Sequence, residues 1–257
     1  MLKAYDEQLR TDAETTRAVL VTRHGPLRLA TFDGGRGFIS YQDLDGADEA
    51  AIEELVVAAV AHFDADPTVE EVEWKTRGHD HAPGLHETLL RHGFEPEEPE
   101  SIMVGEARLL AVDVPLPDGV GLRTITSEED VRAASTMQDG VFGSPVLEAR
   151  VDSLLRGLAA GESEMWVAEA GGEIVSAGRI DMVPGTEFAG IWGGATLEKW
   201  RGRGIYRALT AARARTAIAR GKRYIHSDST EFSRPILERS GLAKVGTTTP
   251  YVRRSPR

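Results

Sequence analysis

Phe188-Ala-Gly-Ile-Trp-Gly-Gly-Ala-Thr-Leu-Glu-Lys-Trp-Arg-Gly-Arg-Gly-Ile-Tyr-Arg-Ala-Leu209 reads as a strand, a turn, a glycine-rich loop and the start of a helix. Gly202 and Gly204 let backbone amides approach a ligand, and the unpaired N–H groups of the following helix turn point the same way. The helix dipole, Arg201 and Arg203 add positive potential, so a pyrophosphate is the natural guest. Upstream, Gly193-Gly194 interrupts the strand, and glycine inside a strand marks a bulge or a close backbone approach. A bulged strand feeding an anion-binding loop gives an extended ligand a place to lie.

Around this stretch the second half of the chain reads as alternating elements. Leu122–Ile125 is a strand, Ser127-Glu-Glu-Asp130 opens a helix running to about Gln138, and a second helix spans Pro145 to Ala159. Glu164–Ala170 and Glu173–Val183 form a hairpin across Gly171-Gly172. Glu187–Leu197 is the next strand, then comes a helix over Ile205–Ala219 with Ile205, Leu209 and Ala212 on its buried stripe. Arg223–Asp228 is a strand, Ser233–Ser240 a short helix stopped by Gly241, and Leu242–Val252 a terminal strand.

The first half repeats the theme in weaker form. Asp48–Phe63 is a helix, Val69–Trp74 a strand and Leu85–His92 a short helix. Leu89-Leu-Arg-His-Gly-Phe94 parallels Ile236-Leu-Glu-Arg-Ser-Gly-Leu242: a helix stops at glycine and an apolar residue follows, which suggests an internal repeat. Gly34-Gly-Arg-Gly37 precedes a strand pattern, Phe38–Tyr41, so it reads as a hairpin turn rather than a second phosphate loop. Two prolines and two glycines in Val112–Gly121 mark the expected boundary, giving domains 1–113 and 114–257.

Charge is unevenly placed. The 257 residues carry 30 Lys+Arg and 41 Asp+Glu, a net −11. Residues 1–115 hold 24 acidic and 10 basic side chains, whereas 199–223 hold nine basic ones and no acid, which points to a compact anion beside this loop. Cysteine is absent, which removes disulfides, thiolate metal sites and a cysteine nucleophile. With no long apolar run and no signal-peptide pattern, the expectation is a cytoplasmic protein with no membrane partner. No nucleic-acid module is readable. His79, His81, His86 and His92 surround Pro83-Gly84 and read as surface loop, so no metal is expected. Trp166, Trp192 and Trp200 read as core or lip residues.

Arg201, Gly204 and Tyr206 fill the positions of an Arg/Gln-x-x-Gly-x-Gly/Ala phosphate-loop pattern, with tyrosine in the last place. In this motif and in the element order over 120–252, the sequence resembles the GNAT superfamily of acyl-CoA-dependent N-acyltransferases. The first half resembles the C-terminal part of the same fold with its cofactor loop missing. The resemblance implies an α/β fold of two GNAT-like domains in tandem, each with a mixed central sheet and helices on both faces, the N-terminal copy degenerate. It implies acetyl-CoA as co-substrate, with pantetheine against Ala195, Thr196 and Leu197 and pyrophosphate on the amides of Arg201, Gly202, Arg203, Gly204, Ile205 and Tyr206. A small-molecule primary amine would then attack the thioester directly in a ternary complex, with a backbone N–H near the bulge facing the oxyanion. Without cysteine, no thiol-bound acyl-enzyme is expected. Tandem copies would form a monomer, as an internal pseudo-dimer, or a homodimer.

The position of the glutamate base found in some GNAT members falls on Gly190, and that of the tyrosine acid on Leu237. The remaining catalytic candidates are Glu187, His226, Asp228 and Tyr251, with Asp228 favoured; each also has an ordinary structural reading. The acidic first half would favour cationic acceptors. The alternative functions are a non-catalytic acyl-CoA-binding regulatory protein and a scaffold without cofactor.

Overall fold

The computed structural model describes residues 1–143 and 148–254. The chain divides into two compact units, one built from Met1–Ile102, Asp228–Arg234 and the terminal stretch from Lys244, the other from Met103–Ser227 and Pro235–Ala243. This division differs from a single cut at residue 113, because two C-terminal pieces belong with the N-terminal unit.

The first unit runs through α1 (Leu2–Gln8), β1 (Leu20–His24), β2 (Leu27–Phe32), β3 (Arg36–Ser40), α2 (Glu49–Asp64), β4 (Glu71–Arg77), α3 (Leu85–Arg91), β5 (Glu95–Pro96) and the start of β6 (Glu100–Glu106). Asp48 caps α2 by accepting the Ala51 N–H at 2.9 Å, and Ile52, Val56, Ala59 and Phe63 recur at helical spacing to form its buried face. That face packs on Leu27, Ile39 and Trp74 of the sheet. Each fully buried Ile, Val, Leu or Phe of this set contributes about 1.5–3 kcal/mol. β2 and β3 form the antiparallel hairpin expected at Gly34–Gly37, but its turn is residues 33–35, with Arg36 and Gly37 already paired in β3, and β3 then pairs parallel with β4. The sequence reading gave no range for β2, β5 or β6, and it missed α1 and β1 altogether, the last two for different reasons. α1 has no side-chain cap, and β1 is exposed on both faces and so lacks a period-2 signal.

The second unit continues with α4 (Ala107–Leu110), β7 (Val120–Ile125), α5 (Glu128–Phe142), α6 (Glu148–Ala159), β8 (Ser163–Ala170), β9 (Glu173–Met182), β10 (Phe188–Thr196), α7 (Ile205–Ala219), β11 (Tyr224–Ser229) and α8 (Arg234–Ser240). Ser127 accepts the Asp130 N–H at 3.2 Å and starts α5, which runs a turn beyond Gln138. Pro145, where the next helix was expected to begin, lies outside the described residues. β7, β8, β9 and β10 are successively antiparallel, and β10 is parallel to β11. One face of this sheet carries Met165, Val167 and Ala177 beneath α5 and α6. The other presents Ile180, Ala189 and Ile191 to α7. The expected boundary loop belongs to this unit, where the Arg215 guanidinium bonds the Val112 carbonyl at 2.8 Å and the Asp113 carboxylate at 2.7 Å.

The internal repeat is legible in the order of elements. β2–β3–α2–β4–α3 and β9–β10–α7–β11–α8 each place an antiparallel pair before a parallel crossover and a short helix. Both short helices end alike: the Phe94 N–H reaches the Leu89 carbonyl at 3.0 Å, and the Leu242 N–H reaches the Leu237 carbonyl at 3.1 Å.

The final strand, β12 (Ala243–Arg254), pairs antiparallel with β4, setting Tyr251 opposite Trp74. Beside it the first unit buries an ion cluster. Lys75 Nζ lies 2.6 Å from Asp228 and 3.6 Å from Glu14, while Arg77 donates to Glu14. Burial alone would raise the Glu14 carboxyl, but Arg77 and Lys75 overcome it and hold the group below its ordinary value. Because the folded value lies below the unfolded one of about 4.3, Glu14 stabilises the fold above that pH, and the contribution is lost as pH falls through the folded value.

Removing one member strands its partner's buried charge, so Asp228→Asn is expected to lower the stability of this unit by about 3–5 kcal/mol. A urea midpoint unchanged from wild type would refute the structural role, and Glu14→Gln should flatten the acid limb of the stability–pH profile.

Candidate functional site

α7 begins without a side-chain cap. Its N-cap is Gly204, with φ +81°, and no side chain bonds the first turn. The first backbone bond back into the loop is Ala208 N–H to Gly204 C=O at 2.9 Å. The N–H groups of Gly202 through Tyr206 have no hydrogen-bond partner among the described residues, and 201–204 are exposed. In α2 of the other unit the Asp48 carboxylate occupies the equivalent turn, in a loop that also carries Asp43 and Asp45. One helix start is therefore built to receive an anion and the other to repel it.

Two details depart from the sequence reading. The Arg201 N–H is used internally, bonding the Glu198 carbonyl at 3.1 Å, so the open amides start at Gly202. The nine basic residues are also not one field. Lys199 pairs with Glu173 and Arg223 with Glu187, Arg215 holds the 112–113 loop, and Lys222 Nζ bonds the carbonyls of Val183 and Thr186. Arg213 is buried, donating to the carbonyls of Leu209 and Arg179 and to Thr210, and burial pulls its pKa down. Arg220 stands at the far end of α7 as its C-cap, and Arg201, Arg203 and Arg207 remain at the loop. Arg201 Nε bonds the Thr196 carbonyl at 3.0 Å, and the Arg203 guanidinium lies 5.0 Å from the Trp200 ring centre.

The bulge falls where the glycines predicted it. The β9–β10 register shifts between Trp192 and Ala195, Gly193 has φ +61°, and the Gln138 side-chain amide donates to the Gly193 carbonyl. β10 pairs with β11 only over Phe188–Gly190, so from Ile191 onward that edge has no strand partner among the described residues. An extended ligand can supply the missing strand there. Of Ala195, Thr196 and Leu197, expected to bind pantetheine, only Thr196 turns its N–H to this edge. The Leu197 N–H bonds Val175 at 3.0 Å, the Ala195 carbonyl accepts from Ser176 Oγ at 2.6 Å, and backbone groups alternate sides along a strand. Tyr206 lies across the bulge: a Cβ on Gly194 would sit 2.5 Å from its ring. The bulky last residue of the motif is thus matched by a glycine in the strand that leads into the loop.

The four catalytic candidates separate. Glu187 stands at the start of β10, six residues from the bulge or about 20 Å along the strand, half-exposed and beside Arg223. Asp228 belongs to the buried ion cluster of the first unit and is held by Lys75. Tyr251 also belongs to that unit, where its hydroxyl meets His86 Nδ1 at 2.7 Å. His226 shares the second unit with Glu187 but lies nearer the bulge, opposite Gly190 in the β10–β11 register, with its ring 5.3 Å from that of Trp192. A Cβ on Gly190 would lie 2.6 Å from Trp192 Nε1 and 3.0 Å from His226 Nε2, so no glutamate side chain fits there. Leu237, at the expected tyrosine position, is 2% exposed in the core of its unit. The histidines weighed as metal ligands disperse: His79 meets Asp6 at 3.1 Å, and His92 meets Glu53 at 3.4 Å. Among the described residues no group of three or more His, Asp or Glu is placed to hold a metal ion, and no helix is long and apolar enough to cross a membrane.

On the α5/α6 face of the sheet, beside the bulge, lies a cleft of about 80 Å³ lined by Gln138, Arg150, Arg179, Trp192 and Gly193 with apolar neighbours. The sequence reading missed it, because its polar side chains come from two helices and two strands and show no local pattern.

Residues 132–241 match the model of the acetyltransferase (GNAT) family, whose members are acyltransferases. No curated protein matches the chain in sequence. Among solved structures it resembles a GCN5-related N-acetyltransferase from Kribbella flavida, with TM-score 0.73 and 17% identity over 96% of both chains. A conserved protein of unknown function from Staphylococcus epidermidis matches with TM-score 0.71 and 14% identity, over 96% of this chain and 98% of that one. A tandem GNAT protein from the clavulanic acid biosynthesis pathway matches with TM-score 0.63 and 15% identity, over 90% of this chain and 79% of that one. At these identities the likeness is one of fold, and it extends over both halves of the chain.

Replacing Arg201 and Arg203 together with alanine is expected to weaken acetyl-CoA binding at least tenfold in calorimetry while leaving the thermal midpoint within a few degrees. Gly190→Ala, by contrast, should destabilise by about 1–3 kcal/mol through its clash with Trp192. Wild-type stability in that variant would show that the indole can move aside.

Proposed function

We propose that the second unit is an acetyl-CoA-dependent N-acetyltransferase acting on a small-molecule primary amine in a ternary complex. The observation that carries this reading is the uncapped amide turn of α7 leading to an unpartnered strand edge and a bulge. Acetyl-CoA supplies an activated acyl thioester. The chain's own groups bind and orient: the Gly202–Tyr206 amides with Arg201, Arg203 and Arg207 take the pyrophosphate, and the Thr196 N–H takes an amide of the pantetheine arm. Holding both reactants together supplies much of the rate. An alkylammonium has a pKa near 10.4, so a proton must be removed before attack. His226, beside Trp192 on the cleft face of the sheet, is the group we assign to accept it through water.

A second reading, a non-catalytic acyl-CoA-binding protein, draws support from Gly190 and Leu237, where no catalytic side chain stands. Titration with acetyl-CoA followed by thiol release over an amine library separates the two. Saturable binding with turnover is expected, and binding without thiol release from any amine would favour the regulatory reading. His226→Gln should lower kcat/KM by about a hundredfold or more with acetyl-CoA affinity unchanged. A loss below threefold would remove His226 from the chemistry.

A further inference from the structure

The cleft beside the bulge has a lining that selects a substrate class. No carboxylate lines it, and two guanidinium groups do. Arg179 spends only Nε on Asp181, at 2.9–3.0 Å, and its two terminal amino groups have no partner among the described residues. Arg150 gives one amino group to the buried Asp139 and keeps its other donors. In each case the aspartate fixes the arginine while leaving donors free, and a planar guanidinium with free paired donors matches a carboxylate. Gln138, 8% exposed, donates its amide to Gly193 and so keeps its side-chain carbonyl as an acceptor for an amine N–H at the bulge. Trp192 and Met165 form an apolar floor that strengthens these contacts.

Resting on the acyltransferase reading above, we propose that the acceptor is a small amino carboxylate, its carboxylate on Arg179 and Arg150 and its amine toward Gln138 and the bulge. Size agrees. A water needs about 10–15 Å³ of such space, so the cleft takes roughly six heavy atoms, enough for an amine, a carboxylate and one or two carbons beyond. The lining points away from the cationic acceptors suggested by the acidic first half, because the charged groups that line the cleft are guanidinium groups.

The test compares L-alanine with ethylamine and L-serine with ethanolamine, with O-phosphoethanolamine as the phosphate-bearing arm. Thiol release is read for the wild type, Arg179→Gln and Arg150→Gln, with circular dichroism melting to confirm that each variant is folded. The amino acids are expected to exceed their decarboxylated partners at least tenfold in kcat/KM. Each variant should reduce that ratio at least tenfold, mainly through KM. Ethylamine serving as well as L-alanine, both falling equally in the variants, or O-phosphoethanolamine outrunning L-serine would each overturn the proposal. Calorimetric titration of L-alanine and of N-acetyl-L-alanine, without acetyl-CoA, gives a readout independent of turnover. Binding there that Arg179→Gln abolishes, alongside no thiol release from any amine, would retain the amino-carboxylate site and reject the acyltransferase reading. No L-alanine binding and no L-alanine turnover would reject the site even if another amine is acetylated.

Discussion

Gly204 caps α7 with a positive φ and no side chain, and much of the second unit follows from that one arrangement. An aspartate or serine at this position would satisfy one of the orphan amides internally and leave less of the helix start for a ligand. With glycine there, the turn is stable only because α7 is anchored elsewhere: by Ile205, Leu209, Ala214 and Ala217 in the core, and by Arg213, buried against carbonyls of its own helix and of β9. The helix is held by its body, which leaves its first turn free for binding.

The same logic explains why the two copies of the repeat differ. Both units keep the crossover of strand, helix, strand and short helix, because that order buries an apolar helix face on a sheet. What changed in the first unit is the helix start. Asp48 fills the turn, and Asp43 and Asp45 add negative charge. The surroundings of Lys75 changed the role of another residue as well. Asp228, which by its strand position could have served as a base, neutralises a buried lysine in the first unit. A carboxylate held against a buried ammonium is engaged in that contact rather than presented to a substrate.

The bulge is the second constraint. Gly193 turns the strand, Gln138 holds its carbonyl, and Gly194 gives way to the Tyr206 ring. Gly190 likewise has no side chain because Trp192 and His226 occupy that volume. The departures from the family pattern at Gly190 and Tyr206 are thus each matched by a neighbour.

The loop, the bulge, the α7 boundaries and most elements of the second half were legible in the sequence, because each rests on local rules. Glycine marks positive φ, a serine caps the following helix, and an apolar period of 3.6 marks a buried face. The repeat was legible for the same reason, through the shared glycine stop after Leu89 and after Leu237. Other properties come from residues far apart in the chain: Asp228 beside Lys75, Tyr251 beside His86, and Gln138 with Arg150 and Arg179 around Gly193. Their roles depend on burial and on which charge lies within a few ångströms, and no local pattern carries that information. From the sequence alone come the glycine-rich loop, the bulged strand and the uncapped helix start, features on which the expectation of an anionic ligand rests. Only the tertiary structure decides which ionisable groups are already spent on holding the fold, because a side chain's charge partner is set by packing rather than by its neighbours along the chain.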